Sequence, residues 1–385
     1  MSRKICVISG TRAEWYLLKN LCKQIKKDED LKLQLILTAS HLSKDFGFTY
    51  KEIEKEFKID KKIDILLSND NNISLCKSMA LLEILLCEAL FSLKPDIVVI
   101  LGDRYEMLAV ASVCLIMQIP LAHICGGELT LGAIDDSIRH SITKMAHLHF
   151  VSTKEYKKRV LQLGEDEKRV FNVGSLGGEL INNINFLDKK TLEDDLNIKF
   201  KENIYLITYH PQTINKKSIK KQINTLLNFL DTIENASLIF TKANADENGF
   251  LINEMIKLYC EKKSFKARLF DNLGSLRYLS LMKICKAVIG NSSSGICESP
   301  FLRIPCINIG DRQRGRMCAK NIINCEISNL KQAFEKLACK QYKQNLRNFI
   351  NPFYSENTSY NIKEILKTYD LQAILNKEFI DYECK

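Results

Sequence analysis

Asp96-Ile97-Val98-Val99-Ile100-Leu101-Gly102-Asp103-Arg104-Tyr105-Glu106 carries both the fold and part of the chemistry. The unbroken apolar run from Ile97 to Leu101 reads as a strand buried on both faces, the pattern of a parallel sheet covered by helices. Gly102 permits a tight turn, so Asp103 stands at the strand's carboxyl tip, where open α/β sheets bind their ligands. Capping of the next helix is the plainer use of the same aspartate. Just upstream, Leu75, Met79, Leu82, Leu86 and Leu90 are three or four apart, one face of a helix that ends at Lys94-Pro95 because proline cannot continue it.

The same rhythm extends in both directions. Strand-length apolar runs occur at 4–9, 33–38, 96–101, 121–124, 149–152 and 170–173, with helical patterns between most of them. Strand, helix, strand implies parallel strands joined by right-handed crossovers. Residues 1–180 thus read as one doubly wound domain. A polar interval over 182–201 follows, and a second series then begins, with strands at 204–208, 237–241, 267–270, 287–290 and 306–309 and helices at 219–232 and 276–286. The expected fold class is α/β, two Rossmann-like domains facing across a cleft, the second over 181–358.

Composition narrows the class further. With 385 residues, 46% apolar and 26% charged, the chain is neither disordered nor collagen-like. Fourteen cysteines are scattered without a Cys-x-x-Cys pair and the opening lacks a secretory pattern, which points to a reducing cytoplasm rather than a disulfide scaffold. The longest apolar stretches, 97–101 and 107–117, fall short of the roughly 20 residues of a membrane span, so no membrane is expected. The net charge of +10 comes from 56 basic and 46 acidic residues that largely alternate, as in the helical-looking stretch 51–62. A solvated face explains that pattern, and no nucleic-acid motif accompanies it. An acidic small molecule is the better partner.

Polar clusters gather where strands give way to helices. Ser9-Gly10-Thr11-Arg12-Ala13-Glu14 sets an arginine near a helix N-terminus, which suits an anion, though a capping turn accounts for it equally. His123-Ile124-Cys125-Gly126-Gly127-Glu128 and Asp135-Asp136-Ser137-Ile138-Arg139-His140 add three carboxylates, the equipment of proton transfer at carbon. In the second half Tyr209-His210-Pro211 ends a strand, and Gly290-Asn291-Ser292-Ser293-Ser294-Gly295 runs into a helix carrying Glu298. Small residues there let backbone N–H groups approach a phosphate. Gly310-Asp311-Arg312-Gln313-Arg314-Gly315-Arg316 supplies arginines that would face it, unless the loop is merely solvated. His147 and His149 share a strand face but no third ligand is fixed by spacing, so they read as core histidines. A serine hydrolase is disfavoured because the Gly-x-Ser-x-Gly elbow is missing.

Taken in order, these motifs resemble the bacterial hydrolysing UDP-N-acetylglucosamine 2-epimerases of sialic acid synthesis and their relatives in legionaminic acid synthesis, over nearly the whole chain. The resemblance implies a glycosyltransferase-B-like architecture with a nucleotide-sugar in the cleft, and a final helix, 360–379 within the segment 359–385, packing back across the domains. It implies no NAD, no other cofactor and no catalytic metal, and a homo-oligomer, dimer or tetramer. The implied reaction removes the C2 proton, expels the nucleoside diphosphate to leave a 2-acetamidoglycal, adds water at C1 and reprotonates C2 from the opposite face. A free manno-configured sugar is released.

By position, Asp103 and Asp135 match the acids of this proton traffic. Arg104, Arg12 and His210 match contacts to the diphosphate, with His210 also among the catalytic set. Ser292 and Ser293 would bind phosphate, Glu298 the ribose hydroxyls, Arg312 the leaving group, and Asn244 is a further carry-over. Several relatives carry glutamate two residues after the histidine at position 123, where this chain has Cys125. Glu128 is therefore assigned the second acid/base role, a hypothesis to abandon if Glu128→Gln leaves turnover within a few-fold of wild type. The stretches Thr11 to Tyr16 and His41 to Gly47 look closer to the legionaminic branch, whose substrate is a UDP- or GDP-linked N,N'-diacetylbacillosamine; UDP-N-acetylglucosamine is the alternative. A non-hydrolysing epimerase, a glycosyltransferase of the same architecture and a non-catalytic nucleotide-sugar-binding protein are the other readings.

Overall fold

The computed structural model describes residues 2–44, 47–66, 72–131, 134–211, 219–243, 249–271 and 273–382. The chain divides into two compact units, one built from 1–128, 134–180 and 353–385, the other from 129–133 and 181–352.

The first unit holds a seven-stranded parallel sheet of β1 (Arg3–Ser9), β2 (Leu31–Thr38), β3 (Lys61–Ile63), β4 (Ile97–Leu101), β5 (Leu121–Ile124), β6 (Leu148–Val151) and β7 (Val170–Asn172). Alternation along the strands divides the core between the two faces. Ile5, Val7, Leu35, Leu37, Ile97 and Val99 pack on one side with the helices Arg12–Lys27 and Thr358–Thr368. Cys6, Ile8, Ile36, Val98 and Ile100 pack on the other with the helices Asn72–Leu93 and Tyr105–Ile116. The strand order β3-β2-β1-β4-β5-β6-β7 reverses direction between β1 and β4. A crevice at that switch point is where a doubly wound sheet takes its ligand.

The second unit repeats the plan with β8 (Asn203–Thr208), β9 (Ala236–Thr241), β10 (Ala267–Phe270), β11 (Ala287–Gly290), β12 (Cys306–Ile309) and β13 (Ile322–Cys325), in the order β10-β9-β8-β11-β12-β13. Its switch point lies between β8 and β11. Cys285 and Cys306 fill this core as small apolar side chains, as Cys6, Cys22 and Cys114 do in the first unit.

Several local expectations change. The stretch 51–62 is not a helix: Tyr50–Ile53 makes a single turn, and β3 begins at Lys61. The strand expected at 149–152 sits one residue earlier, and β13 was not foreseen. The last helix is Thr358–Thr368 rather than 360–379: the chain turns away where Asp370 accepts the Gln372 N–H at 2.9 Å and where Arg3 donates to the Leu366 and Tyr369 carbonyls at 2.6 and 2.8 Å. Ile362 and Leu366 on that helix are buried in the first unit's core. Among the described residues no helix is long and apolar enough to cross a membrane.

Candidate active site

At the tip of β1 the chain enters its helix through a capping box. Thr11 Oγ1 accepts the Glu14 N–H at 3.3 Å, while Glu14 Oε2 accepts the N–H groups of Gly10 and Thr11 at 2.8 and 3.1 Å. Burial pushes the Glu14 carboxyl up to about 7. Arg12 lies exposed in the first turn, at the positive end of the helix. Thus the plain capping role belongs to Thr11 and Glu14, and Arg12 is left at the surface.

At the tip of β4, Gly102 adopts φ +88°, a left-handed conformation that glycine tolerates, and turns Asp103 away from the strand. Arg104 folds back on the buried Glu106 with two hydrogen bonds of 3.1 and 2.9 Å. Burial opposes the charge on Arg104, but Glu106 outweighs it and raises the pKa, so the guanidinium stays charged. Asp103 does not cap the next helix; its Oδ2 accepts a hydrogen bond from Arg139. Arg139 is only 2% exposed. It also donates to the Glu128 carbonyl at 2.9 Å and to Asp136 at 3.4 Å. One buried guanidinium therefore joins the β4 tip, the Gly126-Gly127-Glu128 turn and the helix Ile134–Met145 that bears Asp135 in its first turn.

The loop after β5 is rigid for local reasons. His123, fully buried, donates from Nε2 to the Gly102 carbonyl at 2.8 Å, and burial holds its pKa down to about 3, so it is neutral. Cys125 sits at φ +69° with its N–H on the Phe150 carbonyl at 3.0 Å. Gly127, at φ +77°, has no room for a side chain, since a Cβ would lie 2.4 Å from the Tyr156 carbonyl oxygen. His149 and His147 have protein partners: His149 Nε2 is 2.9 Å from Glu165, and His147 Nδ1 accepts the Leu121 N–H at 3.2 Å.

In the second unit Asn291 is the organiser. Its fully buried amide clamps the backbone of His210, accepting the N–H at 2.6 Å and donating to the carbonyl at 2.9 Å. The Asn291 carbonyl receives Arg312 at 3.1 Å and Gln313 at 2.9 Å. Three separate motifs thereby meet at one residue. Burial, and then the charge of Arg312, lower the His210 pKa to about 4. Gly290 adopts φ +142°, and a Cβ there would come 1.9 Å from the Thr208 carbonyl oxygen. Ser292 precedes the short helix Ser293–Cys297, with its hydroxyl 3.3 Å from that of Ser294, which in turn bonds Tyr278. Glu298 closes the turn, its carboxyl pushed up to about 7 by burial. Asn244 lies outside the described residues.

The structure thus gathers Asp103, Glu128 and the helix of Asp135 around Arg139, and His210, Arg312 and the Ser292 turn around Asn291. Neither organiser had been given a role. Arg139 stands four residues after Asp135, one helical turn on, and that spacing was the available signal. Asn291 gave none beyond its place in the glycine-serine run.

A family model described as UDP-N-acetylglucosamine 2-epimerase matches residues 23–367. The chain belongs to the UDP-N-acetylglucosamine 2-epimerase family. Among its relatives in that family is the GDP/UDP-N,N'-diacetylbacillosamine 2-epimerase (hydrolyzing) of Campylobacter jejuni, 67% identical over 380 residues, which cover 98% of this chain and 99% of that protein. The UDP-N,N'-diacetylbacillosamine 2-epimerase (hydrolyzing) of Legionella pneumophila is 31% identical, with 98% and 99% covered. The crystal structure of UDP-GlcNAc 2-epimerase from Neisseria meningitidis bound to UDP-GlcNAc superposes with a TM-score of 0.80 at 20% identity, covering 94% of this chain and 99% of that one. The epimerase family's α/β fold, of the glycosyltransferase-B-like kind with two Rossmann-like sheets, is therefore the fold of this chain.

Proposed function

We propose that this chain is a hydrolysing 2-epimerase that converts UDP- or GDP-linked N,N'-diacetylbacillosamine to free 2,4-diacetamido-2,4,6-trideoxymannose and the nucleoside diphosphate. The observation that carries this reading is the 67% identity, across almost the full length of both chains, to a protein named for that reaction. The organisation of the acids supports it. Asp103, Glu128 and Asp135 belong to three segments that a single buried arginine ties together through the Asp103 carboxylate, the Glu128 backbone carbonyl and Asp136, the neighbour of Asp135.

In the proposed sequence a carboxylate of this group takes the proton from C2. The C2–H electron pair forms the C1=C2 bond of the glycal while the C1–O bond breaks toward the diphosphate. Arg12, Arg104, His210, Ser292, Ser293 and Arg312 serve the diphosphate, donating hydrogen bonds to oxygens that gain charge as the bond breaks. Glu298 holds the ribose, and Asn244 assists in nucleotide binding. Water then adds its oxygen to C1, giving up a proton to a carboxylate of the Asp103, Glu128 and Asp135 group, while the C1=C2 electron pair takes a proton from an acid of that group on the other face of C2. Cys125 occupies a left-handed turn position whose backbone is fixed, and Glu128, three residues on, supplies the carboxyl group.

Turnover of the UDP-linked and GDP-linked diacetamido sugars and of UDP-N-acetylglucosamine by the purified protein tests the substrate. The proposal expects the largest kcat/KM for a diacetamido donor. Turnover confined to UDP-N-acetylglucosamine, or to none of the three, overturns it.

A further inference from the structure

The helix Ile134–Met145 carries Asp135 and Arg139, yet its opposite end is held by residues far from the chemistry. Lys377 donates from Nζ to the carbonyls of Lys144 and Ala146, both at 2.7 Å, and of Thr143 at 3.4 Å. The last carbonyls of a helix have no intrahelical partner and mark its negative pole, which favours an ammonium there; burial lowers the Lys377 pKa to about 8 against the pull of Glu165, so near neutral pH it is chiefly charged. The same ammonium pairs at 2.7 Å with Glu165, whose side chain is fully buried. Glu165 also receives Lys144 at 2.7 Å and His149 at 2.9 Å. Burial alone would raise the Glu165 carboxyl, but the bond from His149 and the neighbouring lysines bring it down to about 2, so it remains the anionic anchor.

The segment that presents Lys377 belongs to no helix or sheet ladder; side-chain bonds and isolated backbone bonds order it. Arg169 donates to the carbonyls of Ile374 and Asn376 at 2.7 Å each. The Ile380 N–H meets the Gly164 carbonyl at 3.0 Å, and the Tyr382 hydroxyl the Glu165 carbonyl at 3.1 Å. The Phe379 ring lies over Gly164, where a Cβ would come within 2.4 Å of it, and 5.0 Å from the Lys144 ammonium. From the capped end a short path leads back to the acids. The Thr143 hydroxyl bonds the Arg139 carbonyl at 2.9 Å, and Arg139 grips Asp103.

We propose that the C-terminal strap, residues 369–382, sets the position of the helix Ile134–Met145 through Lys377, and with it the placement of Arg139 and Asp135 relative to Asp103. Lys377 is thus a positioning residue for the epimerase reaction, and its kinetic effect rests on the function proposed above. The six residue steps from Arg139 to Met145 span about 9 Å of helix, a rigid lever over which a shift at one end is delivered to the other.

The test uses the full chain with Lys377→Met, Lys377→Arg and the milder Phe379→Ala, whose ring is largely exposed. Steady-state kinetics on the diacetamido donors is paired with amide hydrogen exchange, which needs no activity. Misplacement of an acid by a fraction of an ångström lowers kcat rather than affinity, so Lys377→Met should cut kcat by about tenfold or more and leave KM within about twofold. Exchange should quicken across 134–146 while the helix Asn72–Leu93 keeps its protection. Arginine at 377, still able to cap the carbonyls, should restore most of the rate, and Phe379→Ala should show the same pattern more weakly. Wild-type kcat in Lys377→Met overturns the proposal. So does lost activity with unchanged exchange at 134–146, or exchange raised evenly through the first unit, which would mark a general stabilising role. If the wild-type chain turns over none of the donors, the functional reading fails on its own, and the exchange pattern still decides whether the strap holds the helix.

Discussion

Replacing Arg139 with methionine removes the one guanidinium that joins Asp103, the Glu128 backbone and Asp136. Methionine roughly fills the space, so the effect is chiefly electrostatic. Breaking a fully buried pair by deleting one partner costs roughly 3–5 kcal/mol. Asp103 is 25% exposed and is partly relieved by water, which reduces that figure to about 2 kcal/mol. Loss of the bond to the Glu128 carbonyl adds about 1 kcal/mol. The total of about 3 kcal/mol corresponds to a fall in Tm of about 6–12 °C for a unit of this size. Urea unfolding of Arg139→Met, Asp103→Asn and the double variant isolates the pair, with an expected coupling of at least about 1 kcal/mol. Because Asp103 loses its orientation, kcat should drop by about a hundredfold, with lysine at 139 intermediate since it keeps the charge but not the fork. An Arg139→Met protein within about 0.5 kcal/mol of wild type, with a coupling near zero, refutes the idea that this arginine organises the acids.

Four further outcomes follow from three residues of the second unit. Gly290→Ala should cost more than about 3 kcal/mol, read as a large shift of the urea midpoint or loss of soluble protein, because the Cβ would overlap the Thr208 carbonyl at a φ alanine avoids. His210 is neutral in the free protein with a pKa of about 4, and a diphosphate beside it favours the imidazolium. Nucleotide binding near pH 5.5 should therefore take up protons, seen calorimetrically as a buffer-dependent heat that vanishes in His210→Gln. Glu298, lifted to about 7, is a carboxylate only above that pH, so nucleotide affinity should rise between about pH 6 and pH 8 more steeply in wild type than in Glu298→Gln. Its folded-state pKa is raised, so the stability it contributes is present at low pH and lost as pH rises from about 4.5 through about 7. Wild type should therefore lose stability relative to Glu298→Gln across that window, measurable by thermal melts at each pH.

The buried strands were legible because their sequences are continuous apolar runs and each run ends in glycine or a polar turn. What escaped lies at the edges. In β3, Lys-Lys-Ile is three residues long and only Ile63 is buried, so its place is set by pairing with β2 rather than by its own pattern. β13 is similarly short and alternates in burial, with Ile323 inward. The final helix was overextended because 369–379 holds neither glycine nor proline, and the turn in which Asp370 accepts the Gln372 N–H at 2.9 Å leaves only a weak mark. The helix's end carbonyls are also held by Arg3, more than 360 residues away in sequence. The candidate acids and phosphate ligands were visible as polar clusters after strands, but a residue that works by joining clusters carries no local mark. Arg139 and Asn291 become conspicuous only when their partners are brought together.

The most direct test of the account is proton NMR of the product formed in deuterated water from the UDP- and GDP-linked diacetamido sugars. Removal of the C2 proton, elimination and return of a solvent proton predict a free sugar of manno configuration carrying deuterium at C2. A released sugar that keeps its protium and its gluco configuration would instead show simple hydrolysis at C1 and contradict the mechanism, and an unchanged nucleotide-sugar would contradict the function.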